Sequence, residues 1–153
     1  MHLPLSTFKY IIKHAPLISI DLVVQNKVGE VLLGYRNNRP AQCYWFVPGG
    51  RILKDETMEC AFKRLTLNEL GAEFNLSAAH FIGPFEHFYS DNVTGNEFST
   101  HYIALGYRLS VDQYHLELPL EQHCQYTWMT VDELLTHSRV HKHSRWYFAP
   151  SAK

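Results

Sequence analysis

Gly49-Gly50-Arg51 opens a segment that runs through Glu56, Arg64 and Glu69 and closes at Gly71. These residue types suit a phosphate-bearing substrate and a hard cation. A glycine pair lets the backbone pass close to a ligand. A carboxylate projecting from a helix offers an oxygen ligand to Mg²⁺, which commonly bridges substrate phosphates. Arg51 and Arg64 carry forked donors that match diphosphate oxygens. The same residues also fit a turn before an ordinary amphipathic helix with solvated charges, and composition alone leaves both readings open. The chain has ten histidines. Each is a candidate base near neutral pH, and spacing alone singles out none. His137, His141 and His143 do not match a metal-ligand spacing and read as a solvated helix face.

These side chains need elements to hold them. Leu5, Phe8, Ile11 and Ile12 recur at helical spacing, which predicts a short helix over 5–14 stopped before Pro16. An apolar run over 17–24, a turn over 25–30 around Gly29 and a second run over 31–36 predict a strand hairpin. A third short strand is expected over 44–47, ended by Pro48-Gly49-Gly50. Met58, Ala61, Phe62 and Leu65 share one face of a helix predicted over 57–70, with Gly71 placed to end it. Strands are expected over 80–89 and 98–111, separated by a turn-rich loop over 91–96, and a last strand over 126–129. Thr130-Val131-Asp132-Glu133 has capping-box form and should start a helix over Leu134 and Leu135, with another helical turn or two in the tail over 140–148. The order implies an α/β fold, a mixed β-sheet sandwiched between helices.

Length and composition bound the reading. The 153 residues suit one domain, 1–153, and a 46% hydrophobic fraction argues against disorder. A formal net charge of −1 gives no broad footprint for nucleic acid, so a bound anion must be met by local basic residues. No apolar run is long enough to span a bilayer, and the first residues lack a signal-peptide core, so no membrane association is expected. Cys43, Cys60 and Cys124 are widely spaced and form no CxxC pair, which fits reduced thiols in a cytoplasmic protein.

Gly50, Glu56, Arg64, Glu69 and Gly71 match the Nudix box at its full spacing. Most Nudix enzymes carry Arg-Glu and then a Glu-Glu pair, whereas this chain has Arg64-Leu65 and Asn68-Glu69. Two metal-binding carboxylates are therefore missing. In this defect the chain resembles the GDP-mannose mannosyl hydrolase family. The resemblance covers nearly the whole chain, through Pro16 to Asp21, Asn38-Arg39-Pro40-Ala41-Gln42, Tyr44 to Arg51, Lys54-Asp55-Glu56-Thr57, His87-Phe88-Tyr89, Thr100-His101-Tyr102 and Leu118-Pro119 with Glu121-Gln122-His123.

The resemblance implies a Nudix fold and Mg²⁺-dependent hydrolysis of GDP-mannose or GDP-glucose to GDP and free sugar. Water would attack the anomeric carbon with inversion. GDP is a good leaving group, so the site must offset charge growing on the β-phosphate and activate one water. Glu69 is the expected metal carboxylate. By resemblance, the Gly49 carbonyl and the Gln122 side chain complete the protein ligands of one ion, with Mn²⁺ as a substitute. His123 is the expected general base, in a context that reads as a mobile loop. Arg36, Arg51 and Arg64 are assigned to the diphosphate, although Arg64 could equally be a structural partner of Glu56. Asp21, His87 and Tyr102 match positions near the sugar and leaving group. Guanine is expected to stack on an aromatic ring, with Phe8, Tyr44 and Tyr89 available. Family members are dimers in which the N-terminal segment takes part, and the stripe of Leu5, Phe8 and Ile12 permits a homodimer of this kind. The rivals are a conventional Nudix pyrophosphohydrolase attacking phosphorus and a non-catalytic module that binds a nucleotide sugar.

Overall fold

The computed structural model describes residues 2–120 and 123–149, with Cys124 described by its backbone alone. In chain order the elements are α1 (Leu5–His14), β1 (Leu17–Gln25), β2 (Val31–Arg36), β3 (Trp45–Phe46), β4 (Gly49–Arg51), α2 (Met58–Leu70), β5 (His80–Tyr89), β6 (Thr100–Ser110), β7 (His123–Met129), α3 (Val131–Thr136) and α4 (Lys142–Arg145). The strands form one sheet in the order β3-β2-β1-β6-β5, with β4 against β1 and β7 against β2. β1 and β6 run parallel from Leu17↔Tyr102 to Gln25↔Ser110. The other pairs are antiparallel.

β1 explains the sandwich. Successive side chains on a strand point to opposite faces. Ile20, Leu22 and Val24 enter one core, with Phe62, Leu65 and Leu70 of α2. Val23 enters the other, with Leu134 of α3, Val140 and Tyr147. A strand covered on both faces reads as a continuous apolar run, as 17–24 does. Asp21 also lies on this second face, so a carboxylate stands where a core residue is expected.

α2 begins and ends where its sequence signals fall. The Thr57 side chain caps it by accepting from the Cys60 amide at 3.2 Å. Gly71 ends it in the left-handed region at φ 71°, its amide donating to the Leu67 carbonyl. The capping box at Thr130 and Glu133 is present and starts α3.

Two expectations need correction. The single strand over 44–47 is instead two short ones. Trp45–Phe46 pairs with β2, the chain crosses at Val47-Pro48, and Gly49–Arg51 pairs with β1. Pro48 has no amide to continue a ladder, while its carbonyl accepts from Leu22 at 2.8 Å and moves the chain onto β1. The last strand starts at His123, not Tyr126, because residues 123–125 pair with Arg36 and Tyr35 across a register shift. Of the predicted α1 stripe, Ile12 is buried, Phe8 is half-buried and Leu5 remains exposed.

Candidate active site

α2 carries Glu69 to β4 through a close helix–strand contact. A Cβ on Gly50 would fall 2.5 Å from Leu65 Cδ2, so the backbone of β4 lies directly under the helix. A Cβ on Gly49 would collide with the Ile20 carbonyl and come within 2.8 Å of Asp21 Oδ1. The glycine pair is thus a packing requirement as well as a ligand-facing one. The Leu22 amide donates to the Pro48 carbonyl, and the Ile52 amide donates to the Ile18 carbonyl. Gly49, opposite Asp21, therefore holds a non-hydrogen-bonded position in this ladder, and its carbonyl turns away from β1.

Glu69 is 5% exposed, and its carboxyl accepts no hydrogen bond from any described residue. Burial pushes its pKa up to about 7, against the opposing pull of the Arg36 and Arg64 guanidiniums. It faces a cavity of about 730 Å³ whose walls include Arg36, Gly49, Arg51, Arg64 and Tyr102. A buried, under-compensated carboxylate beside a free-facing carbonyl fits a hard cation. Among the described residues no group of three or more His, Cys, Asp or Glu side chains converges to hold a metal alone. A cation here would take its remaining ligands from substrate and water. Gln122, the third expected ligand, lies outside the described residues.

The arginines divide their work. Arg64 grips Glu56 with Nε at 2.7 Å and Nη2 at 2.9 Å, and Nη2 also donates to the Arg51 carbonyl. Glu56 in turn accepts from the Leu53 amide at 2.9 Å. This pair braces the turn before α2 and holds the Glu56 carboxyl below its usual range, chiefly through the Arg64 hydrogen bond. The structural partnership weighed for Arg64 is therefore present, while Arg64 still lines the cavity. Arg36 donates from Nε to the Pro40 carbonyl at 3.0 Å, which fixes its stem. Arg51 lies over the Phe8 ring at 4.7 Å. Phe8 lines neither the large cavity nor the smaller one beside it.

That smaller cavity, of about 80 Å³, shares Arg36, Gly49, Gly50, Arg51 and Tyr102 with the larger one and adds Asp21 and His87. Asp21 is 6% exposed. Its Oδ2 accepts from the Tyr147 hydroxyl at 2.6 Å and lies 3.9 Å from His87 Nδ1. Burial raises the Asp21 carboxyl to about 7, more than Tyr147 and Arg36 can offset. His87 and Tyr102 are register partners across β5 and β6, so two strands deliver them together. His87 stacks on His143, ring centroids 4.2 Å apart and 8° from parallel.

The histidine expectations fare differently. His143 is not on a solvated face: it is 1% exposed, and burial pushes its pKa down to about 2. A four-residue helix with its own core contacts does not show the periodicity that would have revealed this. His123 is not in a mobile loop. It starts β7, is 2% exposed, and lies so close over Gly34 that a Cβ there would meet its ring at 2.6 Å. Among the described residues neither of its ring nitrogens has a hydrogen-bond partner. Burial, with Arg36 nearby, lowers its pKa to about 4, and it lines neither cavity. The structure thus brings together Asp21, Arg36, Gly49, Arg51, Arg64, Glu69, His87 and Tyr102, and holds Phe8 and His123 just behind them. Sequence reasoning missed Tyr147, whose contact with Asp21 spans 126 residues and leaves no local signal.

Comparison with known proteins identifies the domain and its fold. A NUDIX domain model matches residues 15–149. A low-salt glycan biosynthesis protein, Agl8, of Haloferax volcanii is 38% identical over 123 residues, covering 80% of this chain and 76% of its own length. The MutT protein of Methanosarcina mazei Go1 superposes with a TM-score of 0.72 at 22% identity, covering 90% of this chain and 94% of that one. The MutT NUDIX hydrolase of Burkholderia pseudomallei gives 0.70 at 20% identity, with 89% and 98% covered. The NUDIX domain of Shewanella oneidensis NrtR, in complex with ADP ribose, gives 0.65 at 15% identity, with 99% and 100% covered. These last three likenesses speak to the fold. The matched span takes in every strand and α2, with the glycine pair, Glu56, Arg64 and Glu69 at the spacing of the family's box, and so the chain belongs to the Nudix family of hydrolases.

Proposed function

We propose that this hydrolase cleaves GDP-mannose, or a related GDP-hexose, to GDP and free sugar by attack of water at the anomeric carbon with inversion. The observation that carries the reading is that the described wall of the larger cavity presents one carboxylate. Among the described residues Glu69 is the one carboxylate facing the cavity, Leu65 is buried against Gly50, and the neutral Asn68 lines the wall. One carboxylate suits a single ion on the diphosphate better than a multi-ion attack on phosphorus. The likeness to a glycan biosynthesis protein is compatible with a nucleotide-sugar substrate.

Glu69, the Gly49 carbonyl and Gln122 would hold one Mg²⁺, with Mn²⁺ able to substitute. When bound, the ion neutralises charge on the diphosphate. Arg36 and Arg51 bind the diphosphate, and Arg64 does so with the donor its grip on Glu56 leaves over. Asp21, His87 and Tyr102 bind the sugar and leaving group. His123 serves as the base after leaving its seat on Gly34, because solvation returns its pKa toward the ordinary value near neutrality. Asp21 is the competing base, since it already faces the cavity with its carboxyl near 7. The exposed N-terminal Leu5 and Tyr10, 58% and 68% accessible, support a homodimer through α1.

Hydrolysis of GDP-mannose in ¹⁸O-labelled water with Mg²⁺ tests the reaction. GDP plus mannose carrying the label, initially as the inverted anomer, is expected. GMP plus mannose 1-phosphate would mean attack at phosphorus and overturn the proposal. Nucleotide-sugar binding without turnover would make the domain a binding module. His123→Ala should lower kcat about a hundredfold or more with KM nearly unchanged. The same loss in Asp21→Asn, with His123→Ala near wild type, would move the base to Asp21.

A further inference from the structure

The structure assigns a positioning role to Tyr147: its hydroxyl fixes the Asp21 carboxylate in the smaller cavity, with α4 as the mount that holds Tyr147 in place. The inference rests on the reading of that cavity as the sugar-binding part of the site.

Three kinds of contact converge on it. First, the hydroxyl donates to Asp21 Oδ2 at 2.6 Å, between side chains that are both buried. Oδ1 lies 2.8 Å from where a Cβ on Gly49 would stand. One oxygen of Asp21 is thereby committed to the protein. Second, the Tyr147 ring has no freedom to rotate away. It packs edge-on to Phe85 at 4.7 Å, and its Cε1 lies 2.7 Å from where a Cβ on Gly106 would stand. The absence of a side chain at position 106 is what admits the ring against β6. Third, the segment that carries Tyr147 is tied to the strands bearing the site. Trp45 donates to the Arg139 carbonyl at 2.8 Å, and His141 donates to the Trp45 carbonyl at 3.0 Å. The buried Ser144 hydroxyl oxygen accepts from the Val47 amide at 3.0 Å, two residues before Gly49. His143 stacks on His87. The segment 139–147 therefore sets the orientation of Asp21 and His87 from behind, and Tyr147 lines neither cavity.

Tyr147→Phe keeps the ring and removes the hydroxyl. Loss of a hydrogen bond to a buried carboxylate should lower kcat for GDP-mannose about tenfold or more, with KM changed less than about twofold. Tyr147→Phe placed on Asp21→Asn should add little further loss, because a residue acting through Asp21 has nothing left to orient. The ¹³C resonance of the Asp21 carboxyl, read without turnover, should shift in Tyr147→Phe. An unchanged resonance or an unchanged kcat in Tyr147→Phe, with Asp21→Asn crippled, would overturn the role of Tyr147 alone. Fully multiplied losses in the double variant would do the same. Wild-type kcat in Asp21→Asn would instead remove Asp21 from the site and take this inference with it.

Discussion

Glu69 is a carboxylate that the fold buries before anything neutralises it. Its pKa is raised from 4.5 to about 7, so the folded state favours the proton. The sign follows from linkage. Below about pH 4.5 both states hold the proton and burial costs nothing. Between there and about 7 the unfolded chain releases it first, and metal-free stability falls by about 3 kcal/mol once pH is well above 7. Glu69→Gln removes that loss. In metal-free protein the variant should melt several degrees above wild type at pH 8 and close to it at pH 5, by calorimetry. Equal melting shifts at both pH values would show that Glu69 is not under this strain. Sequence spacing was enough to nominate Glu69, because the box fixes its distance from Gly50 and Arg64. It could not show that Arg64 already spends its fork on Glu56 and the Arg51 carbonyl, nor that His123 lies seated on Gly34. Those depend on which residues meet across the sheet, and that information is not local.

At the scale of elements, capping residues and apolar periodicity located α2, α3, β1, β2 and β5 closely, since each is set by short-range signals. The misjudged elements were β3, β4 and the start of β7, all short and all defined by partners distant in sequence. A two- or three-residue strand has too little pattern to announce itself. Gly71 joins the two kinds of information. Its φ of 71° marks the end of α2, and a Cβ there would collide with the Glu117 carbonyl. Glu117 in turn donates to the Leu70 carbonyl at 3.1 Å, pinning the segment that leads to Pro119. The Pro119 carbonyl accepts from the Tyr126 hydroxyl beside the larger cavity. Gly71→Ala should therefore do more than add left-handed strain of about 1 kcal/mol. It should destabilise the protein and also raise KM by shifting the segment through Glu117 and so displacing Pro119 from the cavity wall. A lowered melting temperature with unchanged KM would confine the role of Gly71 to the helix end.

Across the whole molecule, two sets of buried titratable groups oppose one another. His123 and His141 are pushed down to about 4 and His143 to about 2, chiefly by burial. They stay neutral in the fold while the unfolded chain takes up protons below about 6.5, so stability falls as pH drops from there. Asp21 and Glu69, both raised to about 7, act in the other direction and cost stability as pH rises from about 4 to about 7. Three histidines outweigh two carboxylates at pH 5, the sets nearly cancel around pH 6.5, and the carboxylates prevail just above it. Metal-free protein should therefore be most stable at about pH 6.5. A cation at Glu69 competes with the proton and favours the ionised carboxyl that burial disfavours. Saturating Mg²⁺ should then raise the melting temperature most above pH 7 and move the optimum to the alkaline side, while leaving the acid limb, which belongs to the histidines, in place. Calorimetric scans from pH 5 to 8.5, with chelator and with Mg²⁺, read both limbs in one series. An alkaline limb that does not respond to Mg²⁺ in wild type would separate Glu69 from the metal, even if the acid limb behaves as described.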